Sequence, residues 1–277
     1  MGTDAHDQPL QDLLDTWPVT AAVAVVTGDG VVATAGDIQA VRPLASVTKP
    51  LAALAIMQAV SDGSLSLHAP AGPPGATLAH LLSHASGINF DDDRILARPG
   101  TRRIYSNRGI ELAGEEFTTV SGQPLSLALS VSVLDPLGMT STELVGSPAK
   151  AGRSSVADLA SLVLDLLVPS VLDAALVDQM ASVHFPGLDG VVPSYGRQRP
   201  NDWGLGFEIR SHKTPHWTAP GNSPQTFGHF GQSGSFIWVD RPNKVACAFL
   251  ADQNFDQWAI DGWPVLSQQV LDRFSSS

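Results

Sequence analysis

Strand-like runs crowd the two ends of this 277-residue chain, and helical patterns fill most of the space between them. Near the start, AAVAVV (21–26) and VVAT (31–34) flank the turn residues TGDG (27–30), which reads as a hairpin. Near the end, FEIR (207–210), Gly234 to Asp240 and Lys244 to Ala251 have strand composition, the last two joined by a turn over Asp240 to Asn243. Segments 77–83, 109–120, 125–133, 156–167 and 171–180 read as helices, separated by breaks such as PAGPPG (70–75). Two strands, a helical stretch and three or more further strands do not make a βαβ repeat. They point to an α/β (α+β) chain: an antiparallel sheet built from both chain ends, flanked by helices at 8–17 and 258–274, with a mainly helical domain inserted. The expected division is 1–62 for the first part of the sheet domain, 63–200 for the insert and 201–277 for the remainder.

Composition narrows the function classes. A net charge of −11 with no basic block argues against nucleic acid or an anionic membrane as partner. Cys247, the only cysteine, excludes an intrachain disulfide and sits in the apolar run VACAF (245–249), as a small core residue does. The first 17 residues lack a basic and apolar leader, and no apolar run approaches the length of a bilayer span. The expectation is a cytoplasmic chain, monomeric or homodimeric.

The stretch LASVTKPLAAL (44–54) places one of only four lysines at the head of a strongly apolar helix. Proline is tolerated only in the first turn of a helix, so Pro50 fixes the helix start near Ala45 to Val47 and puts Ser46 at its N-terminal end. Lys49 then falls on the same face, one turn on. A buried lysine beside a serine hydroxyl is an arrangement for nucleophilic catalysis. By itself the spacing arises by chance about once in a chain of this size, and on this motif alone a lysine snorkelling past a capping serine is the better explanation.

Two further stretches change that balance. RPGTRRIYSN (98–107) ends in Tyr105, Ser106 and Asn107, and GHFGQSGS (228–235) opens the first strand of the late hairpin. With SVTK (46–49), they resemble the three motifs of the serine β-lactamase and penicillin-binding protein superfamily. The Tyr-x-Asn and His-x-Gly forms are similar to the class C-like branch, with its D-Ala-D-Ala peptidases and family VIII carboxylesterases. LLSHASGI (81–88), VSGQP (120–124), DPLGM (135–139) and WGLGF (203–207) follow that branch in order, over roughly residues 8 to 274.

The resemblance implies roles. Ser46 would attack a carbonyl and become acylated, with Lys49 and Tyr105 sharing the proton work and Asn107 bonding Lys49 and the acyl side chain. The backbone N–H groups of Ser46 and Gln232 would form the oxyanion hole, and Gly231 would let the substrate lie close to the strand. His229 stands where the family carries the lysine of Lys-Thr-Gly, and Phe230 where it carries a hydroxyl. Histidine is only partly protonated near neutral pH, so a carboxylate anchor is weakened and a neutral ester is favoured. Short segments at 70–75 and 91–93 imply an open pocket. The implied function is a serine carboxylesterase of short-acyl or aryl esters, acting on a small-molecule ester or amide without a cofactor. The alternatives are a weak β-lactamase or D-Ala-D-Ala peptidase, or a non-catalytic module that keeps the pocket.

Other chemistries fit less well. The G-x-S-x-G elbow of α/β-hydrolases is absent, GQSGS (231–235) missing it by one residue. His80 and His84 are spaced i, i+4 but have no glutamate between them, so they read as structural and no metal is expected. Asp91 to Asp93 read as a solvated loop, and Lys213–Thr214, followed by Pro215, as a loop outside the third motif.

Overall fold

The computed structural model describes residues 7–275. In chain order its elements are α1 (Gln8–Leu14), β1 (Ala21–Thr27), β2 (Gly30–Ala35), β3 (Arg42–Pro43), a 3₁₀ turn (Ala45–Val47), α2 (Thr48–Ser61), α3 (Leu78–Leu82), α4 (Asn107–Ser121) and α5 (Leu125–Leu129), which continues as a π-helical turn over Ser130–Leu134. Then come β4 (Glu143–Leu144), β5 (Gly152–Ser154), α6 (Val156–Leu167), α7 (Ala174–Met180), β6 (Gly190–Val192), β7 (Gly196–Gln198), β8 (Glu208–Ile209), β9 (Phe227–Gly231), β10 (Ser235–Asp240), β11 (Val245–Ala251) and α8 (Gln257–Phe274).

The chain ends do meet in one antiparallel sheet, of order β2-β1-β11-β10-β9-β8. The closure is β1 against β11, in register from Ala21↔Ala251 to Thr27↔Val245. Side chains alternate across it: Ala22, Ala24, Val26, Ala246, Ala248 and Leu250 join the core beneath α2 and α6, whereas Val23, Val25, Val245, Cys247 and Phe249 join a second core beneath α8. With both faces covered, these strands read as unbroken apolar runs rather than as a polar–apolar alternation. The buried thiol of Cys247 is part of that second core, as its surroundings in the sequence imply.

Within the central span, α2, α3, α4 and α5 pack on one another, while α6 packs on β1, β10 and β11. The third motif differs from expectation. Rather than opening the first strand of the late hairpin, GHFG lies on a strand of its own, β9, paired on one side with β10 and on the other with β8. A turn at Gln232 to Gly234, closed by Gly234 N–H on Gly231 O at 3.1 Å, separates it from β10. Three short polar residues between two apolar runs do not look like a break in the sequence, which is why two strands read as one. Among the described residues no single helix is long and apolar enough to cross a membrane.

Candidate active site

Ser46 sits in the 3₁₀ turn, where the end of β9 meets the helical layer at α2. The residue before it, Ala45, has φ of 43°, a left-handed conformation that an L-residue adopts only under constraint. The constraints come from both sides. Leu44 N–H donates to Gly152 O at 2.9 Å. Ser235 Oγ donates to Leu44 O at 2.7 Å and Ser233 Oγ to Pro43 O at 2.8 Å. Strand β9 closes in so tightly that a Cβ on Gly231 would lie 2.4 Å from Leu44 O and 3.1 Å from Ser46 N.

The four polar residues singled out around the first two motifs come together here. Lys49 is fully buried, with Nζ 3.0 Å from Ser46 Oγ, 2.7 Å from Asn107 Oδ1 and 2.9 Å from Ala149 O. Tyr105 Oη donates to Ser46 Oγ at 2.7 Å. Tyr105 and Asn107 owe their placement to Ser106 between them, which caps α4 by accepting from Gly109 N–H at 2.9 Å and donates to Asn89 O at 2.6 Å. Ala149 is brought in by the short sheet β3-β5-β4 and by Gly152 N–H donating to Thr48 Oγ1 at 2.8 Å.

Electrostatics give these groups unequal proton affinities. Burial lowers the Lys49 ammonium well below its ordinary value. Burial also pushes the Tyr105 phenol far up, outweighing its bond to Ser46. Burial thus favours the neutral form of each group, the amine and the phenol. An amine has two N–H donors and one lone pair. Asn107 Oδ1 and Ala149 O can only accept, so in the neutral amine the lone pair faces Ser46 Oγ, whereas the ammonium donates to all three.

Comparison with known proteins gives the family. The model of the beta-lactamase family matches residues 10–269. The chain belongs to that family. Among solved structures it is similar to one described as a beta-lactamase from Mycobacterium bovis, at 50% identity and a TM-score of 0.94, covering 96% of this chain and 99% of that one. Esterase EstB of Burkholderia gladioli is 31% identical over 143 residues, 35% of this chain and 36% of the relative. The D-alanyl-D-alanine-carboxypeptidase/endopeptidase AmpH of Escherichia coli K12 is 23% identical over 159 residues, 44% of this chain and 41% of the relative. The matches thus span well under half the length of these two curated relatives.

The beta-lactamase fold here encloses a cavity of about 170 Å³ over Ser46, walled by Phe90, Tyr105, Val192, Pro193, Trp203, Glu208, His229, Phe230 and Gln232. That is small beside the several hundred Å³ of ordinary ligand pockets. The reason is aromatic: Tyr105, Trp203, His84 and His229 pack around the site with ring centroids 4.5 to 5.8 Å apart.

His229 is buried, and burial lowers its imidazole to about 3, so it is neutral rather than partly protonated at pH 7. Its Nδ1 bonds Phe230 O at 2.7 Å. Phe230, next along β9, also borders the cavity and packs against Trp217, Phe255 and Trp263. Gln232 is pinned by Phe255, whose N–H donates to Gln232 O at 2.8 Å and whose O accepts from Nε2 at 3.1 Å.

His80 and His84 both make contacts that hold local structure. His80 Nδ1 meets the cap residue Thr77. His84 brackets Tyr105, its O accepting from Ile104 N–H at 2.9 Å and its Nδ1 from Ser106 N–H at 3.2 Å. Among the described residues no group of three or more His, Cys, Asp or Glu could hold a metal ion.

Three contributors escaped the sequence. Trp203 and Phe90 form walls. Glu208, buried at the cavity edge, accepts from Lys213 Nζ and Trp217 Nε1, both at 2.8 Å. Burial opposes its ionisation, but Lys213 and His216 outweigh that and hold the carboxyl well below its usual range. Lys213 does lie in a loop, yet it is buried there and spent on Glu208, so it offers the cavity no cation.

Proposed function

We propose that this beta-lactamase-family chain hydrolyses small, uncharged carboxylic esters through an acyl-enzyme on Ser46. The observation that carries this reading is the cavity wall. Its one charged side chain, Glu208, is already paired with Lys213, so the wall presents no free cation, and its remaining surface is mostly aromatic and aliphatic. Cephalosporins and D-alanyl peptides bring a carboxylate, which such a wall opposes. Asn107 is held within the protein, Oδ1 by Lys49 and one N–H of Nδ2 by Asp91, which leaves its second N–H to meet a substrate. The partial similarity to esterase EstB points the same way.

In this reading Lys49 takes the proton of Ser46 as Oγ attacks the ester carbonyl carbon. The oxyanion is held by the N–H groups of Ser46 and Gln232. Collapse breaks the bond to the alkoxide, which leaves with the Tyr105 proton. The tyrosinate lies beside the new Lys49 ammonium, whose Nζ is 4.7 Å from the ring centroid. Its raised affinity then draws a proton from water. The hydroxide displaces the acyl group, and Ser46 Oγ recovers its proton from Lys49, so the cycle closes with one ester and one water consumed.

A β-lactamase or peptidase reading is the second, favoured by the similarity to AmpH and to the Mycobacterium bovis structure. Rates on p-nitrophenyl acetate, butyrate and octanoate, set against a chromogenic cephalosporin, separate the two. The expected result is kcat/KM for butyrate on the order of 100-fold or more above the cephalosporin. Preference for the cephalosporin would reverse the assignment, and stable acylation without turnover would make the chain a binding module.

A further inference from the structure

Of the three consecutive aspartates 91–93, two are spent at the surface: Asp92 on Arg94 at 2.9 Å and Asp93 on Arg108 at 2.6 Å. The first reaches the site instead. Asp91 Oδ1 accepts from Asn107 Nδ2 at 2.8 Å, and Asn107 Oδ1 in turn accepts from Lys49 Nζ at 2.7 Å. The loop bearing Asp91 is held in place by Asn89 N–H on Arg94 O and Leu96 N–H on Gly87 O, each 2.8 Å, and by Arg108 N–H on Phe90 O at 3.0 Å.

We propose that Asp91 is a positioning residue for the Ser46–Lys49 pair: its carboxylate fixes the Asn107 amide so that Oδ1, and not Nδ2, meets Lys49. A carboxylate only accepts, so it admits one orientation of the amide. The alternative orientation is harmful. Nδ2 facing Lys49 would donate to the amine lone pair, the same lone pair that takes the Ser46 proton. Asp91 therefore keeps the base available, and its charge also acts on Lys49 through about one amide's length. That charge raises the proton affinity that burial lowers. Lys49 is also faced by Glu111 of α4, by Lys150 of the β4–β5 loop, by His84, by His229 on β9 and by the Tyr105 ring. The inference rests on the proposed role of Lys49 as base.

Two variants separate orientation from charge. Asp91→Ala removes both and is expected to lose about tenfold in kcat on p-nitrophenyl butyrate. Asp91→Asn retains an acceptor but no charge. It should lose less, and the acid limb of its pH profile should move down by about 0.5–1 unit, because removing an anion makes Lys49 easier to deprotonate. NMR of isotope-labelled lysine follows the Lys49 titration without any turnover, and only four lysines have to be resolved. Its midpoint should fall in both variants. Equal losses in the two variants with an unmoved Lys49 midpoint would assign Asp91 to loop structure alone and overturn the proposal. A wild type inert towards esters would defeat the esterase reading, while the NMR titration would still decide the role of Asp91.

Discussion

Replacing Lys49 with methionine is expected to lower ester turnover on the order of a thousandfold, the scale of a lost general base. Methionine fills nearly the same buried volume, so the packing of α2 should survive. The cost to stability is the two acceptors left without a donor, Asn107 Oδ1 and Ala149 O, about 1–3 kcal/mol each if water does not reach them. Kinetics and a thermal melt on the same sample separate the two effects. Turnover within tenfold of wild type would remove Lys49 from the base role. In the proposed mechanism the active form carries the neutral amine, so the rate should rise with pH along a limb below the ordinary lysine value, following the downward shift caused by burial.

Gly231→Ala tests the other half of the site. The added Cβ would stand 2.4 Å from Leu44 O, a backbone atom already held by Ser235 Oγ and Val47 N–H. Neither partner yields cheaply, so β9 must move away from the Ser46 turn and take the Gln232 N–H with it. A displaced oxyanion donor costs on the order of 100-fold or more in rate. The expected outcome is that loss in kcat/KM with a melting temperature lowered only by the local strain. A fully active Gly231→Ala would show that the strand edge does not hold the oxyanion.

What the sequence makes legible follows from where its signals are local. The apolar runs at 21–26 and 245–251 belong to strands covered on both faces, so composition alone marks them as core. The all-round apolar character of α2 and the position of Pro50 locate Ser46 and Lys49 within one turn, and their meeting needs only helical spacing. Tyr105 and Asn107 are reachable only through family resemblance, because nothing local tells that a loop 59 residues on returns to Ser46.

Asp91 is invisible for a similar reason. It looks like its neighbours Asp92 and Asp93, and only the closed loop turns it towards Asn107. Glu208 and Lys213 lie five residues apart, yet their burial depends on Trp203 and Trp217 arriving around them. The boundary between β9 and β10 is not legible because its turn is three small or polar residues, too short to interrupt an apolar pattern.

The central claim is that Ser46 carries a covalent acyl group. Intact mass spectrometry of the protein mixed with p-nitrophenyl butyrate and quenched in acid within the first turnovers tests it most directly. One added butyryl group, mapped by digestion to the peptide containing Ser46 and lost in Ser46→Ala together with turnover, is the expected result. Turnover that persists in Ser46→Ala, or an adduct that maps elsewhere, would contradict the claim.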